Sequence, residues 1–347
     1  MDRLRVEILD QVASLEALVE PWTELWSCAR FATPFQHPAW ILAFYRELAV
    51  REPRILAAWQ GPQLAMLAPF YLWRTTAADD PGALILAGNG VSDYLDALVR
   101  PGAEPCAVEA IRFFMAQSRS GWGAADFRDL DPQASLCLLP WPGATSDATL
   151  REEGCPRLAF PSQHVEDALA LASRKIRRDL ERTERRLAGE GRLEIFVSSH
   201  DTLAADYEQL VSLHTARWQA AGGSGIFSTD HHRRFFQAAF AGLARAGILR
   251  LFVVRLNGEP IAATCGFLHR RHYCHFIAGY DPRWSPLSLG SYVVYVALQA
   301  AVSEGAGCFD FLRGKEAYKY RWGAIDYQTY RRRLQVSSVE CRVECHK

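Results

Sequence analysis

Residues 248–281, ILRLFVVRLNGEPIAATCGFLHRRHYCHFIAGYD, constrain the fold more than any other part of the chain. Runs rich in β-branched and aromatic residues read as a β-meander. Asn257-Gly258 lies between two such runs and suits a two-residue hairpin turn. Around the meander the apolar spacing is helical: residues 203–220 and 230–246 read as two helices separated by AGGSG (221–225). A strand at 193–199 precedes them, and before it comes a strongly charged helical segment, 166–189. After the meander, 288–306 reads as a helix entered through Leu289-Gly290-Ser291. A short strand (308–314), a turn or short helix (317–324) and a last strand (326–336) follow.

The first half gives a shorter version of the same order. It has a strand at 4–9, helical spacing over 14–29 and a helix over 38–49 with Pro38 in its first turn. Two strands, 54–60 and 64–74, flank the hairpin signal Gly61-Pro62-Gln63, and another strand falls at 83–88. Residues 105–118 read as a helix, 126–130 and 135–140 as strands, and 141–154 as a connection. Alternating strands and helices argue for a mixed α/β protein. A chain of 347 residues accommodates about two domains of ~150 residues. The expected division is 1–155 and 156–347. The halves share no self-similar sequence, so a structural duplication rests on element order.

The 39 Lys and Arg balance the 39 Asp and Glu, but the charge is split. Residues 1–160 hold 13 basic and 20 acidic groups, and 161–347 hold 26 and 19. Only four of the basic residues are lysines: Lys175, Lys315, Lys319 and Lys347. With 49% hydrophobic and 22% charged residues, disorder and coiled coil are poor readings. No run of 18 apolar residues is present, and MDRLRVEILDQ lacks the apolar core of a signal peptide, so the expectation is a cytoplasmic protein without membrane insertion. Nine scattered cysteines read as small buried hydrophobes. Cys341, Cys345 and His346 lack a second ligand pair at finger spacing, so no metal is expected.

A loop with a glycine that opens a helix after a strand presents free backbone N–H groups and a positive dipole end, both suited to a phosphate. Leu289, Gly290 and Ser291 are the candidates; an ordinary N-cap by Ser288 is the alternative. His214, Arg217 and Trp218 fall at i, i+3 and i+4 on one helix face. They read either as a substrate-facing acid/base with an anion clamp or as a face packed under the sheet. The basic segment 174–192 has eight basic and four acidic residues. It reads either as an attractor of an anionic acceptor or as a solvated helix laced with ion pairs.

The segments FDFLRGKEAYKYRWGA (309–324), LVSLHTARW (210–218), SRKIRRDLERTERRLAGEG (173–191) and NGVSDYLDALV (89–99) are more specific. Together they resemble the CelD-like, cellulose-biosynthesis-associated acetyltransferases, tandem proteins of the GCN5-related N-acetyltransferase (GNAT) fold related to the Fem aminoacyl transferases. The resemblance runs from about Phe35 to Leu334. Leu287-Ser288 stands where a Pro-Gly pair is common in the family, and Lys315 where an acidic residue is frequent.

The resemblance implies two GNAT-like lobes with mixed central sheets flanked by helices, the first degenerate and the second an acyltransferase. It implies acetyl-CoA as co-substrate, bound through Leu289, Gly290 and Ser291, and transfer to an amine or hydroxyl, with a connection to exopolysaccharide or cellulose production. Nucleic acid is not the expected partner. An aminoacyl-tRNA-dependent transferase of the Fem kind and a non-catalytic scaffold are the alternatives. A backbone N–H in HFIAGYD (275–281) would meet the acyl carbonyl, and Tyr318 or Tyr320 would protonate the leaving thiolate. Lys319 and His214 join them as catalytic candidates. Arg217, Trp218, Arg313, Asp281, Lys175, Arg178, Asp93 and Tyr94 are the substrate-binding candidates, and Asp310 is expected to orient Arg313.

Overall fold

Asn257, at φ 52°, and Gly258, at φ 87°, make the tight turn expected of that dipeptide. The turn lies in the second of two units into which the chain divides, Gly154–Tyr327; the first comprises Met1–Glu153 and Gln328–Lys347. The computed structural model describes residues 3–48, 52–75, 82–118 and 122–336, so Cys341, Cys345, His346 and Lys347 lie outside the described residues.

The first unit runs β1 (Leu4–Leu9), α1 (Val12–Glu16), α2 (Val19–Cys28), α3 (Pro38–Glu47), β2 (Ile55–Gln60), β3 (Gln63–Ala68), β4 (Phe70–Trp73), β5 (Ala83–Leu86), β6 (Leu98–Val99), α4 (Glu104–Ser118), β7 (Ala124–Leu130), α5 (Ser135–Leu138) and β8 (Ala144–Arg151). The second runs β9 (Cys155–Ala159), α6 (Val165–Leu171), α7 (Arg174–Glu190), β10 (Leu193–Val197), α8 (Leu203–Ala220), α9 (Asp230–Arg245), β11 (Leu249–Leu256), β12 (Glu259–His269), β13 (His272–Tyr280), α10 (Leu289–Ser303), β14 (Cys308–Asp310), α11 (Ala317–Arg321) and β15 (Ile325–Tyr327). The described residues end with β16 (Tyr330–Val336), back in the first unit.

Three mixed or antiparallel sheets result. The first unit holds β1-β2-β3-β6 and β4-β5-β7-β16-β8, and the second holds β10-β11-β12-β13-β14-β9-β15. This is the mixed α/β architecture expected above, with mixed sheets flanked by helices. In the second unit, α7 and α10 cover one sheet face through Ile176, Leu180, Val293, Ala297 and Ala301, packed with Phe309 and Trp322. On the other face Phe236 and Phe240 of α9 meet Phe267 and Phe276, themselves 5.1 Å apart. Alternating side chains along β12 and β13 feed both layers.

The structure corrects four readings. Residues 135–138 form one helical turn, because the Asp96 carboxylate accepts the N–H groups of Ser135 (2.6 Å) and Leu136 (2.9 Å). The connection read at 141–154 contains β8, which pairs with β16 from Ala144 to Arg151. The single helix read at 166–189 is two, with Ser173 capping α7 through its side chain. The last strand is also two: Ile325–Tyr327 pairs with β9, whereas Tyr330–Val336 inserts between β7 and β8. The C-terminal end expected in the second lobe therefore belongs to the first unit, and the first crossing falls at 153/154. Among the described residues no helix is long and apolar enough to cross a membrane.

Candidate active site

The site forms where two parallel strands part. β13 pairs with β14 at His272, Tyr273 and Cys274, opposite Cys308, Phe309 and Asp310. Leu312, the next residue in phase to face β13, donates its N–H to the Asp310 carboxylate instead (2.7 Å), so β13 continues from His275 to Tyr280 without that neighbour. A bulge accompanies the parting. On β12, Cys265 faces Ile277 and Gly266 faces His275, which leaves Phe276 as the extra residue.

The antiparallel register decides which backbone groups face the gap. The Asp281 N–H donates to the Ile261 carbonyl. Two residues earlier in each step, Gly279 and Ile277 occupy the same hydrogen-bonding phase against β12. The alternating residues, Ala278 and Tyr280, turn both N–H and C=O to the open side. The Ala278 carbonyl there accepts from His214 Nδ1 (3.1 Å) and Arg217 Nη1 (3.4 Å). Helix α8 reaches this position because Gly279 lets it: a Cβ on Gly279 would lie 2.6 Å from His214 Cα.

His214 is buried, and the Ile226 N–H points at its Nε2 (3.4 Å). These partners assign the neutral tautomer with hydrogen on Nδ1. Burial lowers its pKa to about 4, only partly offset by the Ala278 carbonyl, and the nearby Arg217 lowers it further. With both ring nitrogens engaged, His214 positions the strand and helix; it is not a free acid/base. Arg217 is half-buried, its guanidinium carbon 5.6 Å from the ring centroids of both Trp218 and Tyr280. Trp218 is 38% exposed.

Tyr318 is half-buried, edge-on to Phe311 with centroids 6.2 Å apart. Burial pushes its pKa up to about 12; Glu316 adds to the rise and Arg217 opposes it, which puts Tyr318 within electrostatic reach of Arg217. Lys319 has a different task. Its buried Nζ donates to the carbonyls of Leu312 (3.0 Å), Arg313 (2.8 Å) and Gly314 (3.0 Å) and lies 3.0 Å from Glu316. Leu312 has φ 57° and Gly314 φ 111°, so the ammonium holds together a turn whose carbonyls converge. Lysine scarcity pointed to this residue, but its chemistry is that of a clamp.

Tyr320 is turned to the surface, where its hydroxyl donates to Asp326 (2.6 Å). The Asp281 carboxylate caps the turn after β13 and accepts from Arg283 Nε (2.7 Å), whose hydrogen bond holds its pKa down. Asp310 is fully buried and accepts from Arg157 (2.6 Å), His272 (3.0 Å) and the Leu312 N–H (2.7 Å). Lys175 bonds Asp179 one helical turn on (2.6 Å) and Arg178 is exposed on α7. Asp93 and Tyr94 are buried in the first unit; Tyr94 has φ 51° and its carbonyl accepts from Gln36 (2.8 Å).

At the entrance to α10, Ser288 takes the N-cap position without a side-chain cap bond. Its carbonyl accepts from Ser291 and Tyr292 (2.9 Å each), and the Leu289 N–H goes to Leu287 (2.9 Å). Of the three expected phosphate donors, only the Gly290 N–H has no protein partner among the described residues. The space beside it is open: a Cβ on Gly290 would meet only Tyr280 Cε1, at 3.4 Å.

Sequence reasoning missed His275. It is buried at the bulge, its Nε2 is 3.0 Å from Thr264 Oγ1, and it stacks on Phe309. Burial lowers its pKa to about 3, helped by Lys319 and Arg217. A histidine inside an apolar strand run was the available signal. Among the described residues no group of three or more His, Cys, Asp or Glu could hold a metal ion.

A central sheet with α7 and α10 on one face, α8 and α9 on the other, and a gap opening between two parallel strands is a GNAT-like arrangement. The comparisons agree: residues 174–320 match the family model described as an acetyltransferase (GNAT) domain. Among solved structures, FemX is similar over 90% of this chain and 95% of its own, with 10% identity and a TM-score of 0.64. The C-terminal domain of a putative lysylphosphatidylglycerol synthetase from Agrobacterium fabrum is similar over 94% of both chains, with 12% identity and a TM-score of 0.59. L-PGS from Bacillus licheniformis is similar over 84% of this chain and 86% of its own, with 12% identity and a TM-score of 0.53. At these identities the likeness is one of fold. No curated protein sequence matches the chain.

Proposed function

We propose that the chain transfers an acyl group from a coenzyme A thioester to an amine or hydroxyl in the gap beside β13. The observation that carries the reading is the outward-facing backbone of Ala278, whose carbonyl meets Arg217 (3.4 Å), with Tyr318 within electrostatic reach of Arg217 and all three within the segment that matches a GNAT domain. A thioester carbonyl laid against the Ala278 N–H gains a hydrogen bond that strengthens as oxygen becomes negative. The acceptor nitrogen or oxygen bonds to the carbonyl carbon, the C–S bond breaks, and the acceptor's proton ends on sulfur. Tyr318 keeps its proton at neutral pH and donates a hydrogen bond to the departing thiolate. No side chain acts as base in this scheme: an amine acceptor attacks as its free base. The Gly290 N–H and the positive end of α10 would receive the pyrophosphate of the donor. A saccharide-linked acceptor in exopolysaccharide or cellulose production is the setting that the family resemblance suggests.

Isothermal titration with acetyl-CoA tests this: saturable binding below about 1 mM is expected, and absence of heat at that concentration counts against the reading. An aminoacyl-tRNA donor is a second reading. It draws on the exposed cations Arg174, Lys175, Arg178, Arg182 and Arg185 along α7, and it requires tRNA binding that weakens steeply with salt.

A further inference from the structure

We infer that the acyl acceptor carries an oxyanion, a carboxylate or a phosphate, and that Arg217 binds it next to the reacting carbon. The inference rests on the acyl-transfer reading for its meaning but on Arg217 for its evidence. Several other half-buried or buried arginines of this chain have carboxylate partners: Arg157 with Asp310 (2.6 Å), Arg250 with Glu304 (2.6 Å), Arg332 with Asp147 (2.6 Å). Among the described residues Arg177 has none and bonds the Ala170 carbonyl (3.4 Å), but no aromatic ring flanks it there. Arg217 has none within 4.0 Å among the described residues, and its recorded hydrogen bond is one of 3.4 Å to the Ala278 carbonyl. A guanidinium carries five N–H donors in a fixed fork, so most of its capacity is unused. Taking such a group partly out of water beside two aromatic rings leaves its unused donors poorly solvated, and an anion would complete them.

The surroundings are built to hold it. The loop after α8 lies against the Trp218 ring: a Cβ on Gly223 would stand 2.9 Å from Trp218 Cε3, and one on Gly225 2.8 Å from Trp218 Cδ1. Only glycines let this loop close on the indole, which fixes one side of the guanidinium. The Tyr280 ring centroid lies equally near, 5.6 Å from the guanidinium carbon, and Tyr280 belongs to the same strand as the proposed acyl contact, Ala278. An oxyanion paired bidentately with Arg217 would therefore lie within a few bonds of a nucleophile attacking a carbonyl at Ala278. This geometry suits an amino acid or an amino-alkyl phosphate better than a neutral amine.

Equilibrium titration of the full chain with β-alanine, O-phosphoethanolamine and ethanolamine decides the matter without turnover. At least one charged compound is expected to bind about tenfold or more tighter than ethanolamine, in line with one charge-assisted contact. The larger ratio tells carboxylate from phosphate. Arg217→Gln is expected to erase the preference and Arg217→Lys to restore part of it. Equal binding of charged and uncharged compounds by the wild type, or an unchanged preference in Arg217→Gln, overturns the proposal. Should the glutamine variant fail to fold, the wild-type comparison still decides. Acetyl-CoA titrated into the same protein reports separately on acyl transfer: its failure to bind sinks that reading and leaves the anion measurement standing.

Discussion

Two tyrosines two residues apart in AYKYRW meet opposite fates, and they make the clearest test at the scale of single residues. Tyr318 turns inward to Phe311, whereas Tyr320 turns outward to Asp326. Tyr318→Phe is expected to lower turnover about 100-fold with the acetyl-CoA affinity nearly unchanged; Tyr320→Phe is expected to leave turnover within about twofold. Steady-state thiol release measures both. Histidines add a pH signature. His214 and His275 titrate near 4 and 3 in the folded chain because burial disfavours their charged forms, against an ordinary value near 6.5. The unfolded chain binds protons first, so stability is intact above about pH 6.5 and is lost as pH falls toward 4. Denaturant titrations at intervals across that window should show a loss on the order of 1–3 kcal/mol per histidine, reduced in His214→Asn relative to wild type. A profile for His214→Asn identical with wild type contradicts the assignment.

Helix α8 and strand β13 meet at Gly279, and that contact sets the site at the scale of elements. Gly279→Ala places a methyl group against the backbone of Leu213 and His214, where nothing can move without displacing the helix. A destabilisation of about 3 kcal/mol or more is expected in chemical denaturation, the upper range for overpacking. Gly290→Ala has open space beside it and should fold normally while weakening acetyl-CoA binding, which separates a packing glycine from a ligand-facing one. The sequence made some of these elements legible. The β11–β13 meander was readable because Asn257-Gly258 leaves few alternatives to a hairpin, and α8, α9 and α10 because their apolar periodicity is regular. The phase of β13 was not, since the bulge at Phe276 shifts it by one residue and no local signal marks a bulge. Residues 135–138 were misread because the group that turns them into a helix, Asp96, lies 39 residues away.

At the scale of the whole chain, the units are interleaved: the chain leaves the first unit after Glu153 and returns at Gln328. β16 then occupies an interior position between β7 and β8, and Arg332 donates to the carbonyls of Leu136 and Leu139 (2.7 Å each). Ending the chain after Tyr327 should therefore destabilise the first unit, far from the cut in sequence, while 154–327 retains its own sheet. Limited proteolysis of the truncated chain should cleave first within residues 1–153; uniform protection contradicts the interleaving. Sequence periodicity could not show this return, since 326–336 reads as one strand and only long-range pairing divides it. Likewise the lysines in GKEAYK stood out as candidates by rarity, yet only the folded turn shows that Lys319 is committed to three backbone carbonyls. The central claim is that the gap beside β13 holds an acyl thioester. A crystal structure of the chain soaked with acetyl-CoA tests it most directly. The thioester oxygen is expected within hydrogen-bond reach of the Ala278 N–H, the sulfur beside Tyr318 and the pyrophosphate at Gly290; density for the ligand elsewhere, with that gap unoccupied, overturns the assignment.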